Sequence, residues 1–210
     1  MSDNEYEIIH RETLFQGYYR VDRLHIRQKM EDGSWGAIYS REVFDGNKEA
    51  AVVLLFDPKQ DKVVLIEELR SGPLSKGDEN PYLMEAVAGT VDPGEQPETT
   101  AKREALEEAG CTVTELQKIF SYYPAPGCFA ERVTLYIGRT QAPAQGGICG
   151  LAQEGEYIRV YVMDALKAIN LLYTGTFRDA ATLIAMQWFA LNHTALRSRW
   201  LISDTSGAII

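Results

Sequence analysis

Residues 89–111 read GTVDPGEQPETTAKREALEEAGC, a loop that turns into a helix. Gly94 supplies a turn, Pro97 suits the first helical position because its missing N–H has no partner there, and Gly110 suits the stop. Between them Glu104, Glu107 and Glu108 stand at i, i+3 and i+4, so three carboxylates leave one side of the helix. Ala105, Leu106 and Ala109 fall on the neighbouring arc and are expected to pack inward. Like charges at this spacing disfavour an isolated helix, by roughly a few tenths of a kcal/mol per pair. Something positive is therefore expected in front of them. Clustered hard oxygen ligands suit Mg2+ or Mn2+, which bind through carboxylates, waters and substrate phosphates.

The rest of the chain is compatible with such a site. A length of 210 residues buries a substantial core, and 45% hydrophobic with 24% charged residues is ordinary for a soluble globular protein. The net charge of −9 argues against a general binder of nucleic acid or of anionic membranes, since both reward clustered Lys and Arg. It does not oppose a phosphate-bearing substrate whose charge divalent cations neutralise. Cys111, Cys128 and Cys149 match no zinc spacing and read as reduced thiols. The N-terminal MSDNEYEIIHRETL has no basic n-region or apolar h-region, and the longest apolar run is far short of a membrane span. A cytoplasmic protein is expected.

Residues 6–46 alternate apolar and polar positions in short bursts: Glu7–Ile9, Tyr18–Asp22, Leu24–Arg27 and Trp35–Phe44. They read as strands, with Asp32-Gly33 marking a hairpin turn. So small an antiparallel unit has too little core to stand alone, and it is expected to pack on the main domain or on a second subunit. Asp45-Gly46-Asn47 reads as a linker, which divides the chain into a β unit at 1–46 and a catalytic domain at 47–210. Ala51–Phe56 is a nearly continuous apolar run, as in a strand covered on both faces. After a turn at Asp57-Pro58, Lys62–Arg70 begins similarly and ends in charge. Ser71–Pro81 reads as a loop, and Tyr82–Val91 carries a short strand into the acidic stretch. Val113–Tyr123, Arg132–Arg139 and Tyr157–Met163 read as strands, and Gln141–Gly150 as an exposed loop. Asp164 is placed to cap a helix. Phe177–Trp200 has helical spacing, with Ala181, Ile184, Ala185, Trp188, Phe189 and Leu191 as its apolar face. This order predicts an α/β fold with a mixed sheet between helices.

The stretch also follows a long, gapped pattern. Gly89 is followed by five residues, Glu95, seven residues, and then Arg103-Glu104-Ala105-Leu106-Glu107-Glu108-Ala109-Gly110-Cys111. This resembles the Nudix box of the Nudix hydrolases, with Ala105 and Cys111 smaller than the aliphatics usual at those positions. A solvated surface charge run explains the glutamates alone, but not glycines and arginine in the same register. The resemblance implies an α/β/α sandwich and a Mg2+-dependent attack of water on a pyrophosphate linkage. It also implies Glu104, Glu107 and Glu108 as metal ligands, joined by the backbone carbonyl of Ala88. Arg103 then orients the carboxylates, a surface ion pair with Glu107 being the plainer reading.

From about Glu7 to Trp200 the chain is further similar to the bacterial-type ADP-ribose pyrophosphatases of that family. The marker is Ser121-Tyr122-Tyr123-Pro124-Ala125-Pro126-Gly127, with Pro126 sixteen positions past Gly110 and Glu131 soon after. Ala125 stands where the branch commonly has a serine, so any hydrogen bond from that hydroxyl is lost. In Gly150–Glu156 the resemblance implies a general base on a mobile loop, with Glu154 the best-aligned candidate and Glu156 the other, the latter also a candidate metal ligand. It further implies that Tyr18, Arg41 and Arg70 meet the nucleotide, Tyr18 and Arg41 across a homodimer with a swapped N-terminal unit. Pro126 and Glu131 belong to the substrate wall. Glu85 reads either as a ribose contact or as a structural bond. His10, His25 and His193 are scattered and receive no catalytic role, and neither do the cysteines. The expected substrate is ADP-ribose, split to AMP and ribose 5-phosphate. The alternatives are another nucleoside diphosphate sugar such as GDP-mannose, or a non-catalytic ADP-ribose-binding module, which would be expected to lack box glutamates.

Overall fold

The structure is a computed structural model that describes residues 4–46 and 48–206, with the side chains of Glu154 and of residues 203–206 outside that description. Asn47, part of the predicted linker, also lies outside the described residues. The chain forms two compact units, one running to Glu49 and including Tyr122–Arg132, the other made of Ala50–Ser121 and the chain from Val133 onward.

In the first unit, β1 (Tyr6–Gln16), β2 (Arg20–Gln28) and β3 (Tyr39–Asp45) form an antiparallel sheet in that order. The β2–β3 hairpin turns where Asp32-Gly33 predicted, with Asp32 Oδ1 accepting the Ser34 N–H at 2.9 Å and Gly33 at φ 79°. The strand expected from Trp35 is interrupted: Trp35 makes an isolated antiparallel bridge to Lys29, and the continuous ladder starts only at Tyr39, one residue out of register with that bridge. Phe44 pairs with the Cys128–Ala130 segment, which adds Tyr122–Arg132 to this sheet's edge. All of β1 is exposed, including Tyr6, Ile8, Ile9, Leu14 and Phe15.

In the second unit, β4 (Glu49–Asp57) and β5 (Lys62–Leu69) pair antiparallel and are buried on both faces along their apolar runs. A one-turn helix, α1 (Ser71–Ser75), stands in the stretch read as a plain loop. The single strand expected at Tyr82–Val91 is two, β6 (Tyr82–Glu85) on β5 and β7 (Val87–Thr90) on β4. Between them the Ala86 N–H leaves the ladder and donates to Thr182 Oγ1 at 2.8 Å. There follow α2 (Pro97–Ala109), β8 (Glu115–Tyr122), β9 (Arg132–Arg139), the two-residue β10 (Ile148–Cys149) inside the predicted loop, and β11 (Ile158–Asp164). The helices α3 (Ala165–Asn170) and α4 (Ala180–Ser206) follow. Asp164 precedes α3 as expected, but its side chain makes no capping bond.

The mixed sheet runs β10-β11-β5-β4-β9-β8, with helices on both faces. Strand alternation sends Ala51, Val53, Leu55, Val64 and Ile66 toward Ala101, Ala105 and Ala109 of α2. It sends Phe56 the other way, 4.9 Å from the Phe189 ring and 6.1 Å from the Trp200 ring of α4. Leu106, expected inside, is 58% exposed, since the arc of α2 that meets the sheet is built from alanines. Leu191 is also outside, because the buried stripe of α4 runs through Thr182, Ala185, Met186, Phe189, His193, Leu196 and Trp200. Among the described residues no helix is long and apolar enough to cross a membrane.

Candidate active site

On β5 the alternation that buries Val64 and Ile66 places Glu68 on the same face, with Arg70 just past the strand end. Arg70 is held by two carboxylates. Its Nε and Nη2 donate to Glu85 Oε2 at 2.8 and 2.6 Å, and its Nη1 meets Glu68 Oε2 at 2.8 Å. Burial raises the pKa of both Glu68 and Glu85, and the nearby Arg70 charge opposes that rise without cancelling it. Burial works against the Arg70 cation too, yet Glu85, Glu68 and Glu108 together raise its pKa.

The turn and helix of residues 89–111 form as the sequence dictates. Pro97 opens the helix, and Gly110 closes it at φ 63°, with the Cys111 N–H donating to the Ala105 carbonyl. Gly89 lies so close to the helix that a Cβ there would stand 1.9 Å from Glu104 Oε1. Glu108 is 3% exposed and accepts the Ala88 N–H at 3.1 Å. Burial pushes its carboxyl up to about 9, with the Glu104 charge adding to the effect. Glu104 is pushed up to about 7, again by burial first, although Arg103 pulls the other way.

Arg103 is the clasp of the group. Its Nη1 donates to Glu104 Oε1 at 2.7 Å and to Glu107 Oε2 at 2.9 Å, while Nη2 reaches Glu95 Oε2 at 3.3 Å. The Glu95 hydrogen bond is the main reason that the Arg103 pKa rises. The simple Glu107 ion pair is thus one part of a wider arrangement. Backbone from the following loop joins it, because the Gly150 N–H donates to the Glu107 carbonyl at 3.1 Å. In that loop Glu156 Oε2 accepts the Leu151 N–H at 3.0 Å, and the Glu156 charge raises the pKa of both Glu68 and Glu104. Glu154 ends a short 3-10 turn, and its side chain lies outside the described residues.

These residues suit a hard divalent cation. All side-chain donors are carboxylate oxygens, and the most buried of them, Glu108, has one N–H donor against several like charges. Burial first, with neighbouring glutamate charges adding to it, drives two of these carboxyl groups toward protonation, and a bound cation would favour their ionised forms. Among the described residues no three acidic or thiol or imidazole groups are already drawn into a cage, since Arg103 binds Glu104 and Glu107.

The remaining predicted residues stand in the first unit. Tyr18 is 71% exposed, with the Lys48 ammonium 4.7 Å above its ring, and Arg41 stacks 4.7 Å over Tyr39. Pro126 lines an open pocket of about 320 Å3 with Val43, Tyr123, Cys128, Phe129 and Ala130. Glu131 is half-buried, and burial raises its pKa. Two larger pockets of the second unit flank the β4–β5 turn and hold none of the predicted residues.

Two participants escaped the sequence reading of the site. Glu95, counted only as part of the pattern, anchors Arg103. Glu68 reads in sequence only as the charged end of a strand, although alternation alone puts it beside Arg70.

The chain is similar to several known proteins. An ADP-ribose pyrophosphatase of Escherichia coli is 40% identical over 197 residues, covering 94% of this chain and 93% of that protein. A GDP-mannose pyrophosphatase of Shigella flexneri is 33% identical over 160 residues, covering 74% of this chain and 80% of the relative. A crystal structure described as an ADP compounds hydrolase superposes with a TM-score of 0.66 over 90% of this chain and 97% of its own, at 21% identity, a likeness of fold. The model of the NUDIX domain matches residues 46–194, and with a relative of such identity and coverage this places the chain in the Nudix hydrolase family.

Proposed function

We propose that this protein hydrolyses ADP-ribose to AMP and ribose 5-phosphate with Mg2+ as its cofactor, Mn2+ serving in its place. The observation that carries this reading is the pairing of a buried carboxyl, Glu108, and a partly buried one, Glu104, with a doubly anchored guanidinium, Arg70, in one unit. Oxygens of Glu104 and Glu108, with Glu107, Glu156 and the Ala88 carbonyl, would hold the cation. When bound, it neutralises phosphoryl oxygens and lowers the pKa of water.

The chain's own groups do the rest. Arg70 grips the diphosphate. Arg103 keeps Glu104 and Glu107 aimed. Glu154, or Glu156 in its stead, takes the proton from the attacking water as the loop closes. Water oxygen bonds to one phosphorus, the bridging P–O bond breaks, and the bridging oxygen departs with the other phosphate. Tyr18 and Arg41 serve the adenosine, and Pro126 and Glu131 the wall beside the sugar. A cytoplasmic homodimer that covers β1 through its 1–46 unit, with 47–210 as catalytic domain, fits the uninterrupted exposure of that strand.

GDP-mannose is the second reading, favoured by the Shigella flexneri relative. The test is the ratio of kcat/KM for ADP-ribose and GDP-mannose, with Mg2+ and with a chelator. ADP-ribose is expected to be turned over faster, and only with metal. Faster turnover of GDP-mannose would transfer the assignment, and ADP-ribose binding without AMP release would make the protein a sensor.

A further inference from the structure

Arg70 is gripped unequally from its two sides. Both Nε and Nη2 converge on one oxygen of Glu85, a residue only 6% exposed, so that half of the guanidinium is fixed. The other half rests on Glu68 through Nη1 alone, at 2.8 Å. Glu68 is held less securely. It follows Val64 and Ile66 on the face toward α2, where Glu156 and Glu108 share its surroundings and repel it. Among the described residues it thus has one cationic partner and, counting Glu85, three like-charged neighbours. A planar guanidinium already set by the Glu85 contacts needs no second carboxylate to aim it.

We propose that Glu68 occupies Arg70 Nη1 while the site is empty and yields it to a diphosphate oxygen when substrate arrives. The inference rests on the reading of Arg70 as the diphosphate grip. In this arrangement the Glu68 carboxylate competes with the substrate for one face of Arg70. Its exchange moves no bond in the substrate, so it sets affinity for the diphosphate and leaves the hydrolytic step alone. Glu85 has the opposite duty, because losing it frees the arginine from its fixed side.

Steady-state kinetics at saturating Mg2+ separate the two. Glu68→Gln keeps an acceptor for Nη1 but removes the competing charge, so KM for ADP-ribose is expected to fall about 3- to 10-fold with kcat within about twofold. Glu68→Asp retains the charge and is expected to keep KM within about twofold of the parent, whereas Glu85→Gln is expected to raise KM about 10-fold or more. Glu68→Met, similar in volume and uncharged, carries the same expectation as the amide and replaces it if that variant does not fold. An unchanged or higher KM in the uncharged variants would overturn the proposal and leave a purely structural ion pair. If the parent prefers GDP-mannose, the same series is read with that substrate, since the diphosphate is shared. A parent inactive on both would instead bring down the functional reading, and this inference with it.

Discussion

Asp22 in β2 and Glu108 in α2 are buried alike, at 1% and 3% exposure, and their carboxyl groups are driven in opposite directions. Burial penalises Asp22, but a hydrogen bond from Thr13 at 2.9 Å, another from Arg11 at 2.8 Å and the Arg20 cation at 3.0 Å outweigh it, so its pKa falls. Burial penalises Glu108 as well, and there one backbone N–H and a more distant Arg70 do not prevail against it and Glu104. The number and charge of the partners divide the two, and so does depth: Asp22 is covered within a thin three-stranded sheet, whereas Glu108 lies beneath α2 against β7 of the larger sheet. Asp22 completes its own network and pins a sheet. Glu108 is left short of positive charge, which is how a cation site looks before the cation is counted.

The largest effects should come from breaking the Glu108 side of that comparison. Glu108→Gln is expected to lower kcat by about 1,000-fold or more, because an amide is a poor substitute for a charged oxygen ligand. Without metal, at about pH 8, the same variant is expected to melt higher than the parent, because the parent's carboxyl, ionised in the unfolded chain, must take up a proton on folding and the amide need not. Thermal melting and AMP release measured on one preparation read both. Retained activity, or a lower melting temperature, would show that Glu108 is a structural carboxylate like Asp22. Gly89→Ala should come next. Its Cβ would fall 1.9 Å from Glu104 Oε1, so the carboxylate must move while the backbone need not. A loss of kcat of about 10- to 100-fold with a native melting profile is expected, since small displacements at a reacting centre are costly.

The contrast also shows what sequence could and could not disclose. Gly94, Pro97 and Gly110 announced the bounds of α2 because each has a local backbone reason that tertiary contacts do not override. Arg132–Arg139 was legible as β9, and Ala51–Phe56 as the middle of β4, from side-chain pattern alone. Leu106 and Leu191 misled, because the 3.6-residue period gives an apolar arc without saying how closely a neighbour approaches. The change of pairing at Ala86 was invisible, since it depends on a hydroxyl ninety-six residues away. In the site, the glutamates and Arg103 could be named from spacing. That Glu68 and Glu85 share Arg70 follows from the register of β5 on β6, which no run of residues displays by itself.

A smaller effect sharpens the same distinction through pH. Glu104 and Glu108 have folded pKa values of about 7 and about 9, above the ordinary 4.5. Folding therefore favours their protonated forms. The stability they contribute is complete below about pH 4.5 and is lost as pH rises through those folded values. Mg2+ binds the ionised forms and competes with the protons. The rise in melting temperature given by saturating Mg2+ is expected to grow from about pH 6 to about pH 9. A rise of equal size across that range would mean that the cation does not meet these two groups.

The smallest effect belongs to Asp22, and its pH dependence has the reverse sign. Its folded pKa lies below the unfolded value near 3.8, so its contribution is present above that value and is lost as pH falls through the folded one. Asp22→Asn is expected to lower the melting temperature at neutral pH, with the difference from the parent closing in acid, where the parent's carboxyl is also neutral. The control is the pair that Glu42 makes with Arg23 at 2.9 Å on the same sheet, where the side chains are 60% and 37% exposed. Solvent screens that pair, so Glu42→Gln is expected to leave the melting temperature unmoved. If both substitutions proved silent, the Asp22 network would be no more than another surface ion pair. A depressed pKa with no stability behind it would then remove the counterexample that gives the elevated Glu108 its meaning.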